Sequence, residues 1–317
     1  MQIMKKNAYI FGISGQDGSY LANLLLKKNF NVIGFTRSKN KNNLINLLKL
    51  KIYKQIKFIE YKNFSNIKKN FIKKKPNHIY FLSGESNVGN SFQQPINTYR
   101  SNILMLTNIL EYCRVRNLKT SIYNSCSTDC YGSSSESLCD EKILFRAVSP
   151  YSKSKAFNFW LIKFYRENFN LNCCSGILSN HESPLRRNGF VTKKIIDYVN
   201  NFDAKKKLKL GNINIFRDWG WAPDYVEAIY KINTLKIKDD FIVATGKTTS
   251  LSYIIKKIFH KRKIPINFLE SNVKKLVRPN EIKFVRCSPK KIKKIIGWKS
   301  TKNINQIIEK LLNNEIF

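Results

Sequence analysis

Tyr151 and Lys155 stand four residues apart in the run Tyr151-Ser-Lys-Ser-Lys155. On a helix that spacing puts a phenol and an ammonium on one face. The ammonium favours the ionised phenol, and such a tyrosine can take a proton from a hydroxyl while hydride leaves the same carbon. Just upstream lies Ser125-Cys-Ser127-Thr128-Asp129-Cys-Tyr131-Gly132. Ser127 offers a hydroxyl to hydrogen-bond the same substrate oxygen. Asp129 offers a second acid/base, and equally fits a turn or cap residue at a strand end, a common place for aspartate.

Hydride chemistry needs a carrier, and the first residues supply a place for one. Gly12-Ile-Ser-Gly15-Gln16-Asp17-Gly18 follows a strand-like run directly and opens a helix. Glycines permit the tight turn and let backbone N–H groups approach a pyrophosphate at the helix N-terminus. In a strand–turn–helix setting the pattern is a dinucleotide fingerprint. The second strand ends at Phe35-Thr-Arg37-Ser38-Lys39. A cofactor without a 2′-phosphate usually meets an acidic residue at this point. Here a guanidinium, a hydroxyl and an ammonium stand instead, which suits the 2′-phosphate of NADP.

The elements that must position these groups can be read from periodicity. Strands are expected at Ala8–Gly12, Asn31–Phe35, Lys57–Tyr61, His78–Leu82, Thr120–Asn124 and Leu171–Ile177. Helices are expected near Gly18–Lys28, Asn42–Leu50, Asn66–Lys74, Pro95–Asn117 and Ser149–Asn168. The Pro95–Asn117 helix should present Ile103, Leu104, Leu106, Ile109 and Leu110 to the core. The alternation predicts an α/β fold: a doubly wound, Rossmann-type parallel sheet covered on both faces. After about Gly176 the pattern loosens. Helices are expected at Phe190–Phe202, Asp224–Leu235, Leu251–Lys261, Pro289–Ile296 and Ile304–Asn313. Phe241–Ala244 reads as a buried strand returning to the sheet. Ser133–Ser137 reads as a short polar loop. The expected division is residues 1–177 as the dinucleotide-binding domain, with 224–246 returning to it. Residues 178–317 form a smaller, mostly helical, interleaved substrate-binding part.

Composition narrows the class. The chain has 317 residues, 57 Lys and Arg against 21 Asp and Glu, and a net charge of +36. Such charge would ordinarily suggest nucleic acid. The lysines are scattered, however, and lysine, asparagine and isoleucine are over-used together, as AT-rich coding DNA would produce. A solvated surface is the expectation, with no nucleic-acid or membrane partner. The N-terminus carries no apolar run with a small-residue cleavage site, which predicts a cytoplasmic protein. The seven cysteines, Cys113, Cys126, Cys130, Cys139, Cys173, Cys174 and Cys287, have no disulfide-framework spacing, and no histidine sits at ligand spacing to Cys126 and Cys130. Reduced thiols and no metal are expected.

Nearly the whole chain resembles the extended short-chain dehydrogenase/reductase family, most closely its GDP-mannose 4,6-dehydratase branch. The resemblance rests on the Gly12–Leu21, Ser127–Gly132 and Ser149–Lys155 segments. It also rests on Asn180-His-Glu-Ser-Pro184, Phe190-Val-Thr-Lys-Lys194, Leu210-Gly-Asn212, Arg217-Asp-Trp-Gly220 with Asp224-Tyr-Val226, and Arg278-Pro-Asn-Glu281. It implies a hydro-lyase that converts GDP-mannose to GDP-4-dehydro-6-deoxy-mannose by internal hydride transfer through NADP. Ser127, Asp129, Tyr151 and Lys155 would be catalytic. Gly12, Gly15, Gln16, Asp17, Gly18, Arg37, Ser38, Asn63, Leu82, Asn180 and His181, with Tyr151 and Lys155, would hold the cofactor. Ser86, Asn180, Arg186, Lys193, Asn212, Arg217, Arg278 and Glu281 would bind the sugar nucleotide.

This chain departs from the family pattern at several of these places. Ser127 stands for Thr, and Asp129 stands for the Glu that removes the C5 proton; Asp is shorter by one methylene, about 1.5 Å. Glu85 and Asn87 replace Gln and His, Asn63 replaces an Asp, and Trp221-Ala-Pro223 replaces His-Ala-Lys. A nucleotide-sugar epimerase or 4-ketoreductase of the same fold would need no acid/base at Asp129 and is the alternative. A non-enzymatic nucleic-acid binder on the same scaffold is a remoter one. Relatives associate through the Tyr-x-x-x-Lys helix. Phe157, Trp160, Leu161 and Phe164 continue that helix as an apolar stripe, so a homodimer or homotetramer is expected.

Overall fold

The computed structural model describes residues 5–133 and 138–317, so all but the first residue of the expected Ser133–Ser137 loop lies outside the described residues. In chain order the strands are β1 (Asn7–Phe11), β2 (Asn31–Thr36), β3 (Lys57–Glu60), β4 (His78–Phe81), β5 (Ser121–Ser127) and β6 (Cys173–Leu178). They continue with β7 (Asn180–Glu182), β8 (Leu208–Lys209), β9 (Phe216–Trp221), β10 (Phe241–Val243), β11 (Thr248–Ser250) and β12 (Leu269–Glu270). Seven of them form one sheet in the order β10-β6-β5-β4-β1-β2-β3. β1 pairs in parallel with β2 and β4, β2 with β3, and β4 with β5. The chain steps from β1 to β2 on one side and returns to β4 on the other. The strand order reverses between β1 and β4, and doubly wound sheets bind ligands outside the carboxyl ends of the strands at such a point.

The central strands carry apolar residues without alternation because helices cover both faces. Ala8, Tyr9, Ile10, Phe11, Ile79, Tyr80 and Phe81 are all fully buried. Phe11 and Phe35 stack with ring centroids 4.3 Å apart, and Tyr9 meets Phe71 edge-on. Backbone contacts divide the chain into two compact units. The first comprises Met1–Ser127, Pro150–Ile177 and Val226–Phe241; the second comprises Thr128–Ser149, Leu178–Tyr225 and Ile242–Phe317.

Two expectations about elements need correction. The expected Pro95–Asn117 helix is three pieces: Pro95–Tyr99, a π-helical turn over Arg100–Leu104, and Met105–Val115. A π turn inserts an extra residue and rotates the helix beyond it. Asn102 is therefore fully buried and Leu104 is 56% exposed, although periodicity assigned Leu104 to the core. A further helix, Val88–Gln93, is capped by the Asn87 side chain, which accepts from Asn90 N.

The five helices expected after β6 all form, and short strands that were not anticipated accompany them. The second unit contains a three-stranded sheet, β11-β9-β7, and a two-stranded one, β12-β8. Short strands give little periodicity to read, and none of β7, β8, β9, β11 or β12 was anticipated. A core of Ile195, Ile255, Ile258, Trp219, Trp221 and Ile308 supports them. Asp218 on β9 is buried and accepts from Ser179 Oγ (3.0 Å), Thr245 N (2.9 Å) and Gly246 N (2.7 Å). Burial pushes its carboxyl pKa up, against those donors. Nearby, the Asp224 carboxylate accepts from Thr301 N (2.7 Å) and Ser300 Oγ (3.2 Å), which pins the segment before the last helix.

Candidate active site

The glycine turn is built as the fingerprint requires. Gly12 has φ +84°, and a Cβ there would lie 2.8 Å from the Leu82 backbone. Gly15 N donates to Gly12 O at 3.0 Å, closing the turn. A Cβ on Gly18 would come within 2.3 Å of Gly12 O, so only glycine lets the Gln16–Lys27 helix sit this close to the strand end. Gly15, which precedes that helix, makes no side-chain cap bond, and a helix N-terminus favours an anion. These are the features a dinucleotide pyrophosphate needs. Gln16 Nε2 donates to Asp17 Oδ1 at 3.2 Å, holding the two side chains together.

At the end of β2, Thr36 Oγ1 donates to Ser38 O at 2.9 Å, and Asn43 Nδ2 donates to both Thr36 Oγ1 (2.9 Å) and Ser38 O (2.8 Å). Asn43 thus fixes the Arg37–Ser38 turn, a role the sequence did not reveal. Burial raises the Tyr61 pKa, while a bond to Ser83 and the positive charge of Arg37 oppose that rise. Arg37 therefore lies by the carboxyl ends of β3 and β4. Asn63 accepts from Asn66 N at 3.2 Å and closes the turn before the Ser65–Lys73 helix.

The helix Pro150–Phe169 presents Tyr151 and Lys155 one turn apart. Lys155 is 5% exposed, and its Nζ donates to Ser125 O at 2.8 Å. That Nζ is 5.9 Å from the Tyr151 ring centroid. Cys126 Sγ meets Lys155 O at 3.7 Å. These bonds tie the helix to the end of β5, whose last residue is Ser127. Lys155 is thereby held beside the last three residues of β5, of which Ser127 is the final one. Asp129 comes next, on the 3₁₀ turn Thr128–Tyr131.

The sugar-nucleotide candidates of the second unit are mostly engaged within it. Arg186 pairs with buried Glu182 at 3.4 Å and lies 3.9 Å over the Phe190 ring. Lys193 pairs with Asp197 one turn on. Asn212 Oδ1 accepts from Asn214 N at 2.8 Å. Arg278 lies 3.9 Å from Glu281. Arg217 is buried and donates to Phe216 O and Ile282 O. Desolvation lowers its pKa, while Asp129 and Glu281, both close by, favour its charge. Burial raises the Glu281 pKa, against Arg278 and Arg217. His181 stacks on Tyr225 with centroids 4.6 Å apart, and its Nδ1 is 2.7 Å from Ser179 O; Asn180 is the neighbouring residue on β7. Among the described residues no cluster of three metal-ligating side chains occurs, and no helix is long and apolar enough to cross a membrane.

A parallel sheet with a glycine turn after β1 and a Tyr/Lys helix tied to β5 defines a Rossmann-type α/β fold. This fold matches that of a dTDP-glucose 4,6-dehydratase from Bacillus anthracis solved in complex with NAD, with a TM-score of 0.85, 18% identity, and 97% and 96% of the two chains covered. A family model for GDP-mannose 4,6 dehydratase matches residues 9–311, and the chain belongs to that family of hydro-lyases. The GDP-mannose 4,6 dehydratase of Dictyostelium discoideum is 31% identical over 345 residues, covering 98% of this chain and 96% of the relative. That of Drosophila melanogaster is 35% identical over 266 residues, covering 80% and 67%.

Proposed function

We propose that this chain converts GDP-mannose to GDP-4-dehydro-6-deoxy-mannose in the cytoplasm, with NADP as its cofactor. The observation that carries the reading is the Tyr151–Lys155 pair, held against the end of β5 by the bond from Lys155 Nζ to Ser125 O, in a chain of this family. A bound nicotinamide supplies a hydride acceptor for C4 and a hydride donor for C6, and is unchanged over a turnover. Tyr151 takes the proton of the 4-hydroxyl, with the Lys155 ammonium favouring the phenolate. The Ser127 hydroxyl bonds the same oxygen. Asp129 takes the C5 proton and passes it to the C6 hydroxyl, which leaves as water; the proton held by Tyr151 then goes to C5, so both side chains end as they began. Gly12, Gly15 and Gly18 admit the pyrophosphate.

The test is to incubate purified protein with GDP-mannose and NADP and monitor product mass. Loss of one water supports the reading. If no GDP-hexose loses water, the reading fails; an unchanged mass with altered stereochemistry indicates an epimerase, and stoichiometric consumption of NADPH a reductase. Asp129→Asn is expected to lower the rate of water loss by about 10²–10⁴-fold, the usual worth of a positioned acid/base. Full activity in that variant removes Asp129 from the mechanism.

The cofactor preference rests on Arg37. Hydrogen bonds to charged groups are worth about 1.5–3 kcal/mol, and every 1.4 kcal/mol is tenfold in affinity. Arg37→Ala is therefore expected to weaken NADP binding by about 10–100-fold while leaving NAD binding almost unchanged, as titration calorimetry would read. Equal losses for both would refute the assignment.

The assembly in this reading is a homodimer or homotetramer. Phe157, Trp160 and Phe164 are spaced three and four apart on one helix face and are 49%, 46% and 50% exposed. Such a stripe on a helix is covered by a partner surface more often than left in water.

A further inference from the structure

The loop after β4 and the helix bearing Tyr151 are joined through one buried amide. Asn102 sits in the π-helical turn Arg100–Leu104 and is fully buried, as are Ser154 and Asn158. Asn102 Oδ1 accepts from Glu85 N at 2.7 Å and from Ser101 Oγ at 3.1 Å. Its Nδ2 donates to Ser154 Oγ at 2.8 Å and to Glu85 O at 3.3 Å. Both protons and both lone pairs of the amide are thereby used. Ser154 Oγ in turn donates to Tyr151 O at 2.7 Å, and Asn158 Nδ2 donates to Asn102 O at 2.7 Å.

The loop itself is shaped to receive this amide. Gly84 has φ +130°, and a Cβ there would lie 2.1 Å from Asn102 Oδ1. Beyond it the Glu85 carboxylate accepts from Ser86 N (2.8 Å) and Asn87 N (2.6 Å). Asn102 fixes Glu85, and Glu85 fixes the backbone of Ser86. On the other side Asn102 reaches, through Ser154, the backbone of Tyr151 itself. π turns are frequent at functional sites, and this one is what turns Asn102 rather than an apolar residue inward.

We propose that Asn102 is a positioning residue that sets the 84–87 loop in register with the Tyr151 helix, so that the sugar contacted by Ser86 is presented to the Tyr151 hydroxyl. The functional half rests on Ser86 as a sugar contact; the mechanical half does not. A buried asparagine with a purely structural role would lower the melting temperature and leave the reaction of the remaining folded enzyme intact. A positioning role alters kcat/KM for the sugar nucleotide, because a misplacement near 1 Å costs on the order of 100-fold.

The test uses Asn102→Ala and, as a milder change in case that variant fails to fold, Ser154→Ala. Amide hydrogen exchange is measured over residues 83–89 and, as an internal reference, over the β1–glycine-turn segment. In Asn102→Ala the loop amides are expected to exchange about tenfold faster or more, since two bonds each worth about 1 kcal/mol are lost. The reference segment and NADP binding stay as they are. In the same variant kcat/KM for GDP-mannose falls by about 10–100-fold, with both kcat and KM affected. Ser154→Ala is expected to show the same pattern at a few-fold size. Unchanged exchange in 83–89 in either folded variant overturns the proposal. So does an unchanged kcat/KM in Asn102→Ala accompanied by a lowered melting temperature. If the wild-type protein turns over no GDP-hexose, the functional reading falls, and the exchange measurement still decides whether Asn102 holds the loop.

Discussion

Tyr151→Phe is expected to lower kcat for water loss from the sugar nucleotide by about 10²–10⁴-fold, the usual contribution of a positioned acid/base. The change deletes one oxygen and keeps the ring. The helix Pro150–Phe169 is held by bonds that do not involve that oxygen: Lys155 Nζ to Ser125 O, Asn102 Nδ2 to Ser154 Oγ, and Asn158 Nδ2 to Asn102 O. The loss therefore reports chemistry rather than folding. Equal falls in kcat and kcat/KM, with KM near its original value, would show that the hydroxyl acts in the transition state and not in ground-state binding. Rapid-quench measurement of the first turnover separates this step from product release. A variant whose first turnover keeps the wild-type rate would end the role assigned to Tyr151.

Asp240→Ala has the largest expected effect on stability. Asp240 and Arg166 pair at 2.5 Å with side chains 7% and 9% exposed. The second guanidinium nitrogen donates to Asp240 Oδ1 at 3.0 Å, and Ser175 N donates to the same oxygen at 2.7 Å. Removing the carboxylate strands a buried guanidinium and a buried β6 amide at once. Breaking such a pair costs about 3–5 kcal/mol, which lowers the melting temperature by roughly 1.5 °C per kcal/mol at about 2.1 cal/mol/K of unfolding entropy per residue. Thermal unfolding monitored by circular dichroism would read the shift, and urea unfolding the free-energy cost. Replacing both partners, Arg166→Met with Asp240→Leu, is expected to recover part of the loss, because no charge is then left unpaired; the Ser175 amide stays without its acceptor. A cost below about 1 kcal/mol for Asp240→Ala would mean that water reaches the pair and screens it.

Most of the first unit could be read from the residues in order. Its strands are short apolar runs between amphipathic helices, and every expected strand there forms within a residue or three of its expected ends. The glycine turn and the Tyr151–Lys155 pair were legible because each is confined to a few consecutive residues, where spacing alone fixes geometry. The second unit was harder. β7, β9 and β11 span three, six and three residues, and β9 includes the motif Arg217-Asp-Trp-Gly220, which reads as a site signature rather than as a strand. The structure gives part of that motif a scaffolding use: Asp218 satisfies Ser179, Thr245 and Gly246.

Asn102, Asn43 and Asp240 escaped sequence reading for a common reason. Each is an ordinary polar residue whose partners lie elsewhere: Ser154 and Glu85 for Asn102, Arg166 and Ser175 for Asp240, and for Asn43 the turn several residues before it. The π turn at Arg100–Leu104 obeys the same logic, since it turns Asn102 inward and leaves Leu104 exposed against its local periodicity.

By itself the sequence determined the parallel α/β sheet, the dinucleotide turn, the tyrosine–lysine couple and the family, because short-range spacing and hydrophobic periodicity encode these within a single turn or strand. Only the tertiary structure decided which buried polar groups satisfy one another, where the long helix breaks, and how the 84–87 loop is fastened to the Tyr151 helix. The physical reason is that a buried donor or acceptor must find its partner wherever the fold brings one, and that distance in space is not written in distance along the chain.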